Sequence, residues 1–224
     1  MIKTSRAVVV AAATSVLALT SGAAYAQSYS HGDAVGDMYD RAHAVVPSAT
    51  NGDVTNVSIN YTKKSLTATM TFTDLDATGS NLVGADILVI NPRTKKWYAA
   101  GVGATSDGVD RSYLRSKGNA GCKKMVTEID TTLNTVTIVL PKRCVDSSKR
   151  VVVAASGISV DGVVDAAGNA LWLTDDAFAD GFSEVDGVSP VIAKGGTGVV
   201  VDGVTRASAR TSLHKLLRAA LASR

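Results

Sequence analysis

The stretch "CKKMVTEIDTTLNTVTIVLPKRC", residues 122–144, holds both cysteines of the 224-residue chain. Its first half alternates, through Met125, Thr127 and Ile129 on one side and Val126 and Glu128 on the other. "TTLN" interrupts the pattern and "TVTIVL" resumes it. Period-two alternation is the mark of a strand with two different faces. Pro141 ends the second strand, because proline has no N–H for the ladder. The stretch therefore reads as a hairpin, with Cys122 entering and Cys144 leaving at its open end.

The first 26 residues decide what those cysteines do. Lys3 and Arg6 precede an apolar run from Ala7 to Leu19, and Ala24-Tyr25-Ala26 offers small residues at the two positions a signal peptidase reads. This is the layout of a secretory signal cleaved before Gln27, and the apolar run falls short of the roughly 20 residues of a membrane span. The expectation is a secreted protein, extracellular or loosely held at the cell surface, with no transmembrane segment after cleavage. Two cysteines in an exported chain form a disulfide. Their separation does not fit a CxxC redox pair, and they are too few for a structural zinc site.

Outward from the hairpin, the same pattern repeats. "LTATMTFT" (66–73) puts Leu66, Ala68, Met70 and Phe72 on one face and threonines on the other, and "VTNVSINY" (54–61) does the same through Val57, Ile59 and Tyr61. "TKK" joins these two as a second hairpin. "ADILVI" reads as a buried strand, "NPRTKK" as a turn, and "WYAAGVG" and "RVVVAASGISV" as further strands. "RSYLRSK" carries the charges that suit an edge strand. Eighteen of the 20 acids are Asp, which favours turns over helices. Seven or eight short strands with turns between them predict an all-β fold: an antiparallel β-sandwich, immunoglobulin-like or jelly-roll-like, with one disulfide.

Three segments follow: a signal at 1–26, a sandwich domain at 27–193, and a Gly-rich linker with a basic tail at 194–224. The domain carries 15 Lys/Arg against 19 Asp/Glu, and the last segment 6 against Asp202 alone. "SARTSLHKLLRAALASR" places Leu213, Leu216, Leu217, Ala220 and Leu221 at helical spacing, which predicts a short C-terminal amphipathic helix suited to peripheral contact with an anionic surface. The nearly neutral body is unlike a nucleic-acid binder.

The order of these elements is similar to a known group. "GDAVGDMYDRA" (32–42), "NGDVTNVSINYTKKSLTATMTFTDL" (51–75), "TVTIVLPKRCV" (135–145) and "RVVVAA" (150–155) resemble a family of small secreted proteins of high-GC Gram-positive bacteria without an assigned activity. Val145-Asp146 stands where that family usually has Leu-Gly. The acid-rich opening before a hairpin is also similar to DOMON-like and carbohydrate-binding β-sandwich modules, a likeness that implies a fold more than a function.

Catalytic signatures are sparse. Histidine occurs at 31, 43 and 214, and Glu at 128 and 184. There is no GxSxG elbow, no P-loop and no GxGxxG before a helix. Ser212-Leu213-His214-Lys215 fits SxxK without its partner motifs. Glycoside hydrolysis needs two carboxylates across a cleft, and nothing singles out a pair among the aspartates. No cofactor is expected, with calcium the one ion that these residues suit. Asp33, Asp37, Asp40, Asp165 and Asn169 are the candidate ligands, with Asp175 and Asp176 close behind, since turn oxygens serve calcium well. Their plainer role is turn capping. Trp97, Tyr98 and Trp172 are the candidate ligand-binding aromatics, against the plainer role of core filling. The expected function is a non-catalytic binding or surface-associated protein for a carbohydrate or cell-envelope polymer. The alternatives are a hydrolase with a hidden carboxylate site and a structural accessory protein.

Overall fold

The computed structural model describes residues 28–79, 81–115, 122–164, 170–179 and 187–195. The signal segment, Asp165, Asn169 and the tail helix lie outside them.

The described residues form two antiparallel sheets packed face to face, as the alternation predicts. The first sheet has the order β1-β2-β3-β8-β7. Its strands are β1 (Ser28–Gly32), β2 (Val54–Tyr61), β3 (Ser65–Phe72), β7 (Val126–Asp130) and β8 (Thr135–Pro141). The second has the order β10-β9-β4-β5-β6, with β11 paired to the start of β9. It contains β4 (Leu82–Ile90), β5 (Trp97–Thr105), β6 (Gly108–Arg115), β9 (Arg150–Val164), β10 (Ala170–Asp176) and β11 (Ile192–Ala193).

Each strand sends one of its two faces inward. Val57, Ile59 and Tyr61, then Leu66, Ala68, Met70 and Phe72, then Val136, Ile138 and Leu140 come from the first sheet. They meet Val83, Ala85, Ile87 and Val89, Tyr98, Ala100 and Val102, and Val151, Val153 and Ala155 from the second. The threonines of β3 take the other face, where Thr69 and Thr137 hydroxyls pair across the ladder at 3.2 Å. Buried Tyr61 donates its hydroxyl to the carbonyl of Ser148, which satisfies a polar tip that the core would otherwise strand.

The cysteines are bonded, with Cα atoms 5.7 Å apart. Cys144 sits in a 3-10 turn, Lys142–Val145, directly after β8, so the bond ties the open end of the β7–β8 hairpin. "RSYLRSK" contributes to β6, an edge strand as expected. Arg111 of β6 donates its Nε to Thr127 of β7, closing one rim of the sandwich.

The opposite rim is closed by a long connection, residues 33–53. Its first part runs along β10, where Tyr39 and Thr174 exchange both backbone hydrogen bonds at 2.9 Å. Met38 and Ala49 bury against Leu173 beneath it in a small second core. Its end, "NGDV", is drawn close to β9. Gly52 has φ +87°, and a side chain there would press on Ile158 and Ser159. A Cβ on Gly157 would in turn collide with the Gly52 carbonyl. The two glycines let the backbone of the connection touch that of β9, which carries Asp53 into the interior.

The strands β1 and β10 were not evident from alternation. β1, "SYSHG", has no apolar set. β10 places Leu173 and then Asp175 inward, so a carboxylate occupies a position where the pattern requires an apolar residue.

A buried carboxylate cluster beside an exposed tryptophan

Three aspartates converge at this rim. One carboxylate oxygen from each of Asp37, Asp53 and Asp175 lies within 4.8 Å of the other two. Asp53 and Asp175 have no exposed surface, and Asp37 is 9 % exposed. Different elements deliver them: Asp37 from the rim connection, Asp53 from the residue before β2, and Asp175 from the inward face of β10.

Asp53 and Asp175 are held by donors from their neighbours. Both oxygens of Asp53 accept from the Gly36 N–H, at 3.2 and 3.1 Å, and Oδ2 also accepts from the Thr73 hydroxyl at 2.8 Å. Gly36 has φ +79°, the left-handed region that glycine enters freely, and this turns its N–H toward Asp53. Oδ2 of Asp175 accepts from the Val54 N–H, which joins β10 of one sheet to β2 of the other. Its Oδ1 is buried without a hydrogen-bond partner. The oxygens of Asp33 are likewise sealed from solvent, and its charge acts on Asp175.

The electrostatics follow from this crowding. Two unit charges at such a distance repel by at least about 3 kcal/mol at an effective dielectric of ~20. Burial pushes the Asp175 carboxyl up to about 9, the Val54 N–H opposes the shift, and the charges of Asp33, Asp37 and Asp53 add to it. Burial raises the Tyr39 phenol as well, reinforced by Asp176, Asp175 and Asp37. Three carboxylates this close cannot all stay charged in a dry site. The cluster must hold a proton or a cation.

Of the acids singled out in the sequence, Asp33 and Asp37 belong to this neighbourhood. Asp40 does other work: its Oδ1 accepts from the N–H groups of Ala42 and Ala44 and caps a turn of the rim connection. Asp53 was not among the sequence candidates, and Asp175 stood out only as an acid close behind Asp165 and Asn169, not as a partner of Asp37. The signals were present, in an acid directly before a strand and an acid at a core-facing position, but only the packing joins them.

The three aromatics separate. Tyr98 is 2 % exposed and fills the core between the sheets. Trp97 is half-buried on the outer face of the second sheet, packed on an apolar patch with Leu88 and Ile90. Trp172 is 40 % exposed on the outward side of β10, with the Arg41 guanidinium 5.8 Å from its ring centre. Its own cross-strand row continues through Val160 and Leu82, and past that row the outer face is low and largely polar. Asp176, Ser156, Asp86, Gly101 and Ser112 are partners in turn across five strands, and Thr174, Ile158, Gly84, Gly103 and Asp110 form the next row. Side chains are ruled out at two of the glycines. A Cβ on Gly84 would collide with the Val102 carbonyl, and one on Gly101 with the Asp86 carboxylate that lies over it. No protein-family model, curated protein or solved structure matches the chain.

Proposed function

We propose that the chain is a secreted, non-catalytic binding protein that takes an extended, hydroxyl-rich polymer, a carbohydrate of the cell envelope, across the outer face of its six-stranded sheet. The observation that carries this reading is Trp172, exposed on the edge strand β10 next to two largely polar rows in which Gly84 and Gly101 keep the surface low. An indole presents an apolar face on which a sugar ring stacks, and carboxylate, hydroxyl and guanidinium groups beside it supply hydrogen bonds to hydroxyls. Arg41 adds a positive charge at the same end, suited to an anionic substituent on the polymer.

The test is a glycan array and a purified-wall pull-down with the mature protein and its Trp172→Ala variant. Trp172→Ala is expected to lose binding by about tenfold or more, a loss of about 1.4 kcal/mol or more. Equal retention by both proteins, or by neither, contradicts the reading. Release of soluble saccharide by the wild type but not by Asp86→Asn would instead mark a hydrolase, because Asp86 and Asp176 face the same side on strands two apart.

A further inference from the structure

We infer that Asp37, Asp53 and Asp175 form a binding site for a hard divalent cation, calcium first, at the rim where the two sheets meet. Two separate observations point to it. The first is the convergence of three carboxylate oxygens within 4.8 Å in a site almost closed to solvent. The second is the Oδ1 atom of Asp175, on a side chain with no exposed surface and with no hydrogen-bond donor. An acceptor buried that way is rare in folded proteins and marks a missing partner.

The chemistry selects the class of ion. Every donor of the trio is a carboxylate oxygen, which suits calcium or magnesium rather than zinc or copper. The contacts that orient two of the ligands are already in place, since Gly36 and Thr73 fix Asp53 and Val54 fixes Asp175, and such contacts orient metal ligands. The ligands come from three chain segments, with flexible carboxylates and a connection between strands, which fits the adaptable coordination of calcium better than the strict octahedron of magnesium. Asp37, the least buried of the three, marks the side by which an ion reaches the site.

A cation there does structural work. It ties the connection that carries Arg41 to the strand that carries Trp172, and it bridges the first sheet through Asp53 to the second through Asp175. The ion thus holds together the two components of the proposed saccharide contact. Its binding is read without any saccharide, so either proposal can fail while the other stands.

The experiment uses the mature chain, stripped with chelator and returned to about 1–10 mM calcium, at or above the ~0.1–1 mM dissociation constants of extracellular modules. Calcium is expected to raise the unfolding midpoint by several degrees by binding the folded state alone. Hydrogen exchange should slow in peptides covering residues 36–54 and 172–178 and stay unchanged in the β7–β8 hairpin. Asp37→Asn should lose the thermal shift, and Asp107→Asn, in an exposed turn, should keep it. The wild-type exchange pattern locates the ion even if Asp37→Asn fails to fold. Absence of any shift with calcium or magnesium overturns the inference, as does protection confined to other regions or an unaltered shift in a folded Asp37→Asn protein.

Discussion

Phe72 shows how closely a single side chain follows the pattern. It is the last inward residue of "LTATMTF", 3 % exposed, and its ring lies beside Gly157 on the facing sheet. Phe72→Ala should cost about 3–5 kcal/mol in denaturant unfolding, the usual range for a buried aromatic; a loss under about 1 kcal/mol would place it at the surface. Tyr61 carries a second prediction at this scale. Burial raises its phenol to about 12, while the unfolded chain releases that proton near the ordinary value of about 10. The folded state therefore holds the proton more tightly. The contribution to stability is complete below pH 10 and is lost as pH rises toward 12. Tyr61→Phe should unfold with a shallower pH slope across that window. At neutral pH it should be less stable by about 1–3 kcal/mol, because the Ser148 carbonyl loses its donor. Identical slopes in both proteins would exclude Tyr61 as the source.

The elements differ in how openly the sequence displays them. β2, β3 and β8 alternate cleanly because one face is apolar and the other is mostly threonine, serine and asparagine, and β4 stands out as a nearly continuous apolar run at the centre of its sheet. The hairpin between the cysteines is equally plain. Closing a loop of its size stabilises by roughly 3 kcal/mol in the chain-entropy view, so reducing the bond, or replacing both cysteines by alanine, should lower the unfolding free energy by about that amount. An unchanged free energy would mean that the hairpin is held by β3 alone. β10 stayed hidden for a physical reason: its inward Asp175 answers to Asp37 and Asp53, not to the apolar core. Local spacing brought out Asp33, Asp37 and Asp40 together because they are neighbours in the chain. It had no access to a cluster whose closing hydrogen bond, from Val54 to Asp175, joins residues 121 positions apart. Sheet order, which creates that contact, is a property of long-range packing that alternation does not encode.

At the scale of the whole molecule the sandwich has two unequal rims. One closes through Arg111 and Thr127 on its edge strands, and the other through the 33–53 connection, its glycines and its aspartates. The second rim brings the exposed tryptophan, an arginine and a buried acidic cluster into one region, and it is there that ligand binding is proposed. The basic tail, Arg206 to Arg224, is proposed as an additional peripheral anchor to an anionic surface, through leucines and positive charge acting together. Sedimentation with anionic vesicles should be greater for the mature protein than for a version ending at Gly195, and the difference should shrink with added salt. Equal, salt-insensitive sedimentation would remove that role. The central claim, that carboxylates from both sheets enclose one ion, is tested most directly by crystals grown with terbium in place of calcium. An anomalous peak is predicted within about 2.3–2.6 Å of oxygens from Asp37, Asp53 and Asp175, the distance range of calcium ligands. A map with no peak at that rim, in crystals where the three side chains are well ordered, would contradict it.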